Sequence, residues 1–327
     1  MRRRMFLVGL AGTSLAFSVN GFGQTPVKLY RLCALTGSQP ISPNSPLGAT
    51  LLGALAEYGY SLGKNLAFDS RGAGGEISKI PNVMQEFKAN GVDVMLAIGY
   101  PAALAAKTAG IPTVIAFGAG DPVATGLVES VARPGGTVTG ISDVATTLST
   151  KRLSLLKELL PKLRRVAMLW NKVDLGMSLR YEASAKAAES LGVNVQALGV
   201  REPNDFNGVF EAMDREPPDA ILMVSDSLTT LNRKRVFDYA AAKRLPAIYE
   251  YDSLARDGGL MSYGPDLKES FIRAAAMVDR IFRGAKPSEL PFEQPTHYLF
   301  VINLKIARST GIEIPATLLA LADEVIE

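Results

Sequence analysis

Val92-Asp93-Val94-Met95-Leu96, a loop, a helical run and then Ile111-Pro112-Thr113-Val114 have a counterpart further along the chain. There Pro218-Asp219-Ala220-Ile221-Leu222 leads through a loop and a helical run to Leu245-Pro246-Ala247-Ile248. In both, a short aliphatic and β-branched run gives way to a segment of helical period and then to a second such run, which is the grammar of a strand–helix–strand unit. The interval from aspartate to proline is 19 residues in the first (93 to 112) and 27 in the second (219 to 246). The two units therefore echo one another without forming a strict repeat.

Outward from the first unit, Val27–Leu35, Leu66–Ser70, Thr113–Phe117 and Val138–Ile141 read as further strands beside Val92–Ile98. All are short and nearly continuous in apolar character, as expected of parallel strands covered on both faces. Ser45 caps a helix with Pro46 at its first position, and Leu47, Leu51, Leu55 and Tyr58 repeat along one face until Gly59 or Gly63. Ile77, Ile80, Met84 and Phe87 form the next stripe, ending at Gly91. After Ile141 the alternation starts again: a helix to about Leu160, Arg165–Trp170, a helix to about Leu191, Val193–Leu198, a helix to about Arg215, and Ala220–Val224. The fold class follows: α/β, with two doubly wound, Rossmann-like lobes.

Composition agrees. At 47% hydrophobic and 20% charged over 327 residues, the chain has apolar surface for two cores. The net charge of +3 includes Arg2, Arg3 and Arg4, so the remainder is nearly neutral and no basic face for nucleic acid is implied. Those arginines precede an apolar run from Met5 to Val19 and the small residues Gly21 and Gly23, the pattern of a secretory leader over residues 1–24. The run is too short for a membrane span. It fits the general and the twin-arginine export routes equally.

Cys33 follows Arg31 and Leu32, not the small residue a lipoprotein signal requires, and reads as a buried strand thiol. A single cysteine and a single histidine, His297, offer neither a disulfide nor a soft metal site. No metal and no cofactor is expected.

Open sheets of this kind bind ligands outside the carboxyl ends of their strands. The loops there are Thr36-Gly37-Ser38, Gly99-Tyr100-Pro101, Gly118 to Asp121 and Ser142 in the first half, and Asn171, Ser225-Asp226-Ser227, Tyr249-Glu250-Tyr251 and Tyr263 in the second. A ligand carboxylate would suit Thr36, Ser38 or the helix start at Pro101, where free N–H groups and the helix dipole attract anions. An ammonium would want Asp226 or Asp121, and an aromatic moiety could stack on Tyr100, Tyr249 or Tyr263. Each has a plainer alternative: residues of these types after strands commonly cap helices or form turns, and the tyrosines could simply pack.

Several stretches resemble the ABC-transporter substrate-binding proteins with the type I periplasmic-binding-protein fold, a group that includes binders of tryptophan and other aromatic amino acids. They are Gly99-Tyr100-Pro101-Ala102-Ala103-Leu104-Ala105-Ala106-Lys107, Gly120-Asp121-Pro122-Val123-Ala124-Thr125-Gly126-Leu127-Val128 and Ala132-Arg133-Pro134-Gly135-Gly136-Thr137-Val138-Thr139-Gly140. Lys151-Arg152-Leu153-Ser154-Leu155-Leu156-Lys157-Glu158-Leu159, Gly258-Gly259-Leu260-Met261-Ser262-Tyr263-Gly264-Pro265-Asp266 and Ala322-Asp323-Glu324-Val325-Ile326-Glu327 carry it to the end of the chain.

The resemblance implies three crossings between lobes, near Ser142, Tyr263 and Leu290. Residues 25–142 with 264–289 would form one lobe, and 143–263 with 290–327 the other. It also implies that Thr36, Gly37, Ser38, Gly99, Tyr100 and Pro101 hold the ligand from one side, with Asp226 and Tyr249 answering from the other. The expected function is an exported, periplasmic, monomeric receptor that clamps a small molecule, an amino acid or aromatic carboxylate, for an inner-membrane ABC permease. Two positions depart from the family pattern: Tyr100 stands where a threonine or serine is usual, and Lys172 where a proline usually follows Asn171.

An enzyme on the same fold is the first rival. It lacks a Gly-x-Gly-x-x-Gly after the first strand, a Gly-x-Ser-x-Gly elbow and a Walker A loop. A sensory module serving a membrane kinase is the second.

Overall fold

The computed structural model describes residues 28–142 and 144–327. The leader expected over residues 1–24 lies outside them, as does Val27. In chain order the first half runs β1 (Tyr30–Thr36), α1 (Pro46–Glu57), β2 (Leu66–Gly72), α2 (Ile80–Ala89), β3 (Val94–Ile98), α3 (Tyr100–Ala109), β4 (Thr113–Phe117) and β5 (Val138–Gly140). The second continues with α4 (Ala145–Leu159), β6 (Arg165–Asn171), α5 (Leu175–Ser190), β7 (Asn194–Val200), α6 (Asp205–Arg215), β8 (Ala220–Met223), α7 (Ser227–Leu231), α8 (Arg233–Lys243), β9 (Ala247–Tyr249), α9 (Asp252–Arg256) and β10 (Met261–Pro265). Then come α10 (Leu267–Phe282), β11 (Tyr298–Asn303), α11 (Leu304–Thr310), α12 (Ala316–Leu321) and β12 (Glu324–Ile326).

Two sheets result. The first has the order β2-β1-β3-β4-β5 and is parallel throughout; the second has the order β12-β11-β10-β9-β8-β6-β7, with β10 and β11 antiparallel. Strand alternation explains the continuous apolar runs. Leu32 and Ala34 on β1, with Val94 and Leu96 on β3, enter the core beneath α1 and α10, while Cys33, Leu35, Met95 and Ala97 enter the core beneath α2 and α3. The second sheet does the same: Val166, Met168 and Leu222 face one core, and Ala167, Leu169 and Ile221 the other.

Local signals set the element ends. Ser45 Oγ accepts from the Gly48 N–H at 3.2 Å ahead of Pro46, and Gly59 takes φ +92° just past α1. The stripe beginning at Ile77 starts as a short 3₁₀ turn, Ile77–Lys79, and becomes α2 at Ile80 with Pro81 in its first turn.

After β10 the chain returns to the first sheet, where α10 buries Phe271, Ala274, Ala275 and Val278 against Leu32 and Leu51. Residues 290–293 stay with that sheet: Thr139 Oγ1 donates to the Leu290 carbonyl at 2.7 Å, and Ser142 N–H donates to the Glu293 carbonyl at 2.8 Å. The last passage to the second sheet therefore lies between Glu293 and Tyr298. No helix of the described residues is long and apolar enough to cross a membrane.

Strand order reverses beside β1 and β3 in the first sheet and beside β6 and β8 in the second. Crevices form at such reversals, because successive connections depart to opposite sides.

Candidate ligand-binding site

A cavity of about 190 Å³ lies at both reversals at once, walled by the loops after β1 and β3 on one side and after β6 and β8 on the other. On the first wall Thr36 Oγ1 accepts from the Ser38 N–H at 2.9 Å. The same turn is pinned from outside by N–H donation from Ala73 to Thr36, Gly74 to Ser38 and Gly75 to Gly37. Gly99 leaves β3 at φ +87°, a conformation that favours glycine, and leads straight into α3 with Pro101 in the first turn. The positive end of the α3 dipole thus points at the cavity.

On the second wall Asp226 caps α7. Its Oδ1 accepts from the Thr229 N–H at 2.9 Å, and its Oδ2 accepts from Asn171 Nδ2 at 2.6 Å. Asp174, 5% exposed, caps α5 through the Met177 N–H at 3.2 Å. Burial raises the carboxyl of Asp174 to about 7, and the nearby Asp226 adds to the shift. Burial also raises Asp226, opposed by the hydrogen bonds from Thr229 and Asn171. Ser225 lies beside them, its Oγ buried with no hydrogen-bond partner among the described residues.

The walls touch. A Cβ on Gly37 would come within 2.6 Å of Ser227 Oγ, one on Gly120 within 3.0 Å of Gly176 Cα, and one on Gly75 within 3.1 Å of Leu231 Cδ1. Phe117 and Tyr251, one from each wall, meet edge to face with centroids 5.4 Å apart. The cleft is closed.

A family model described as "ABC transporter substrate binding protein" matches residues 48–326. The chain belongs to that family. Among similar proteins is a "Tyrosine-binding protein" of Clostridioides difficile (strain R20291), 25% identical over 252 residues, covering 76% of this chain and 72% of the relative. An ABC domain from Streptococcus pneumonia, solved in complex with L-Trp, is 26% identical with a TM-score of 0.83, covering 91% of this chain and 100% of that one. A conserved domain protein from Vibrio cholerae O1 biovar El Tor str. N16961 is 26% identical with a TM-score of 0.84 and the same coverage. The two lobes are those of a type I periplasmic binding protein.

Behind the acidic wall of this substrate-binding protein lies a buried charge cluster. Glu250, 2% exposed, accepts from Arg152 Nη1 at 3.1 Å, from Arg180 Nη1 at 2.8 Å and from the Ser225 N–H at 3.0 Å. Arg152 Nε also donates to the Tyr263 carbonyl at 2.7 Å. The cluster ties α4 and α5 to the ends of β8 and β9 and to the middle of β10, fixing the backbone that carries Ser225 and Asp226. Arg180 also lowers the Asp174 carboxyl, against the larger effect of burial.

Of the residues singled out from the sequence, Thr36, Ser38, Gly99, Pro101 and Asp226 line the cavity. Gly37 sits where the walls meet, and Asn171 stands behind Asp226. Tyr100 turns outward into an adjoining groove. Four others lie elsewhere. Asp121 is exposed and caps its own turn, Oδ1 accepting from the Val123 and Ala124 N–H groups at 2.8 and 3.0 Å. Ser142 pairs with Glu293 at a passage between lobes. Tyr249 is 1% exposed in the second core, its ring edge-to-face with Phe237 at 5.1 Å. Tyr263 stacks on Tyr298 at 6.3 Å. The sequence reading missed Asp174 and Phe117; the one available cue for Asp174 was its cap position at the head of a helical run.

Proposed function

We propose that this protein is an exported, monomeric receptor that holds one amino acid, aromatic in preference, between its lobes and presents it to an inner-membrane ABC permease without chemical change. One observation carries the reading: Asp174 and Asp226 face the hydroxyl turn Thr36–Ser38 and the α3 N-terminus across a single small cavity. That polarity complements a zwitterion, with ammonium on the carboxylates and carboxylate at the helix start. The printed names of two relatives, a tyrosine binder and a tryptophan complex, support the class, and the Phe117–Tyr251 pair offers an aromatic flank. A ligand touching both walls favours the closed state by its contacts alone, so the receptor needs no catalytic group.

A thermal-shift panel tests this. A ligand at 100 times its Kd adds about 2.7 kcal/mol, so tyrosine, phenylalanine or tryptophan should raise the Tm of the leaderless chain by several degrees. Sugars and nucleosides should leave it unmoved. The reverse ranking sinks the proposal.

A further inference from the structure

The cavity shares part of its wall with a neighbouring hollow. A second hollow of about 530 Å³ lies between α2 and α3 on the outside of the first lobe, and Ile77, Pro101 and Asp174 line both spaces. Past those three residues the groove is mainly apolar, with Met84, Leu104, Ala105 and the Tyr100 ring on the first lobe and Val173 reaching over from the second. Leu104 is 40% exposed and Val173 65%, both large hydrophobic side chains left open to solvent. The inner cavity, at about 190 Å³, falls below the ~300–1,000 Å³ usual for ligand pockets.

We infer that the groove is a second subsite of the same cleft, holding the apolar extension of an elongated amino-acid ligand whose ammonium stays on Asp174 and Asp226. Two features fit a ligand extension better than a docked protein. Asp174, the carboxylate proposed to face the ligand's ammonium, lines the groove as well as the cavity. The groove's wall, built mostly from α2 and α3 of the first lobe, is completed by Val173 and Asp174 of the second, so the subsite is fully assembled only when the cleft closes. Tyr100, at the head of α3, supplies a ring for stacking along the groove. The inference rests on the amino-acid reading above.

Calorimetric titration of the leaderless chain with phenylalanine, homophenylalanine, 4-phenylphenylalanine and O-benzyltyrosine tests it. Each buried methylene should tighten binding about fourfold, and O-benzyltyrosine should bind at least about tenfold tighter than phenylalanine. Ala105→Trp, which fills the groove without touching the inner cavity, should erase that gain and leave phenylalanine within about twofold of its original Kd. Leu104→Asp, at an exposed position where folding is little affected, should weaken only the long ligands. Phenylalanine binding with the long analogues refused, or bound with indifference to both variants, overturns the groove assignment alone. If no amino acid binds, short or long, the amino-acid reading fails and this inference with it.

Discussion

Asn171 donates through Nδ2 to Oδ2 of Asp226 at 2.6 Å, while Oδ1 of the same carboxylate receives the Thr229 N–H at 2.9 Å. Both oxygens are thus fixed before any ligand arrives, which removes much of the ordering cost that a free side chain would add to binding. The charge and the cap are separable. Asparagine caps helices about as well as aspartate but turns a donor, not an acceptor, toward Asn171. Asp226→Asn should therefore cost stability only the ~1 kcal/mol of that one hydrogen bond. It should raise the Kd for an aromatic amino acid roughly 10- to 100-fold, the loss expected for a charge-assisted hydrogen bond of ~1.5–3 kcal/mol. Calorimetry and a melting curve on one preparation separate the two effects.

Asp174 should make binding pH-dependent. Its folded-state carboxyl is raised to about 7 from an ordinary 3.8. The stability tied to its protonated form is therefore complete below about 3.8 and is lost as the pH rises through about 7. The ligand-free protein should accordingly gain stability from this group on acidification across that window. An ammonium ligand needs the ionised form, so affinity should fall by up to about tenfold per pH unit below 7. Binding there should release a proton, visible as a dependence of the calorimetric heat on the buffer's ionisation enthalpy. Asp174→Asn should flatten the profile between pH 5 and 7; an unchanged profile would show that another group titrates.

The buried cluster behind the acidic wall is a stability element. Glu250→Gln leaves the Arg152 and Arg180 guanidiniums without their shared carboxylate, and removing one partner of a buried ion pair costs about 3–5 kcal/mol. Urea unfolding should show a loss of that size, far more than Lys234→Gln, which breaks an exposed pair on α8 worth under about 1 kcal/mol.

Closure depends on glycine where the walls meet. A Cβ on Gly37 would approach Ser227 Oγ to 2.6 Å and Ile77 Cδ1 to 2.9 Å. Gly37→Val should hold the lobes apart, raising the Kd by about tenfold or more with little change in the Tm of the ligand-free chain. Small-angle scattering should then show a radius of gyration that no longer contracts on adding ligand.

The two sheets were readable because the apolar runs are short, continuous and interleaved with helical stripes, and each strand feeds two cores at once. The strand-end rule likewise pointed to Thr36, Ser38, Gly99, Pro101 and Asp226, which line the cavity. It failed for Tyr249 because β9 is only three residues long, too short for alternation to tell the core face from the cleft. It failed for Tyr263 because β10 is flanked by β11, so the ring meets Tyr298 and Phe300 on the sheet face. Asp174 hid behind Lys172 and Val173 as an ordinary helix cap, which it also is. Its place in the cavity wall and its raised carboxyl arise from burial beside Asp226, a proximity between loops 52 residues apart (174 to 226) that no local pattern encodes.

The most direct test of the central claim is the calorimetric Kd of L-tyrosine against that of N-acetyl-L-tyrosine at pH 7.5. The acetyl group removes the ammonium charge and keeps the ring and the carboxylate. If the ammonium sits on Asp174 and Asp226, tyrosine binds and the acetylated form is at least about 100-fold weaker, since a buried carboxylate pair then faces a neutral amide. Equal affinities would contradict the account.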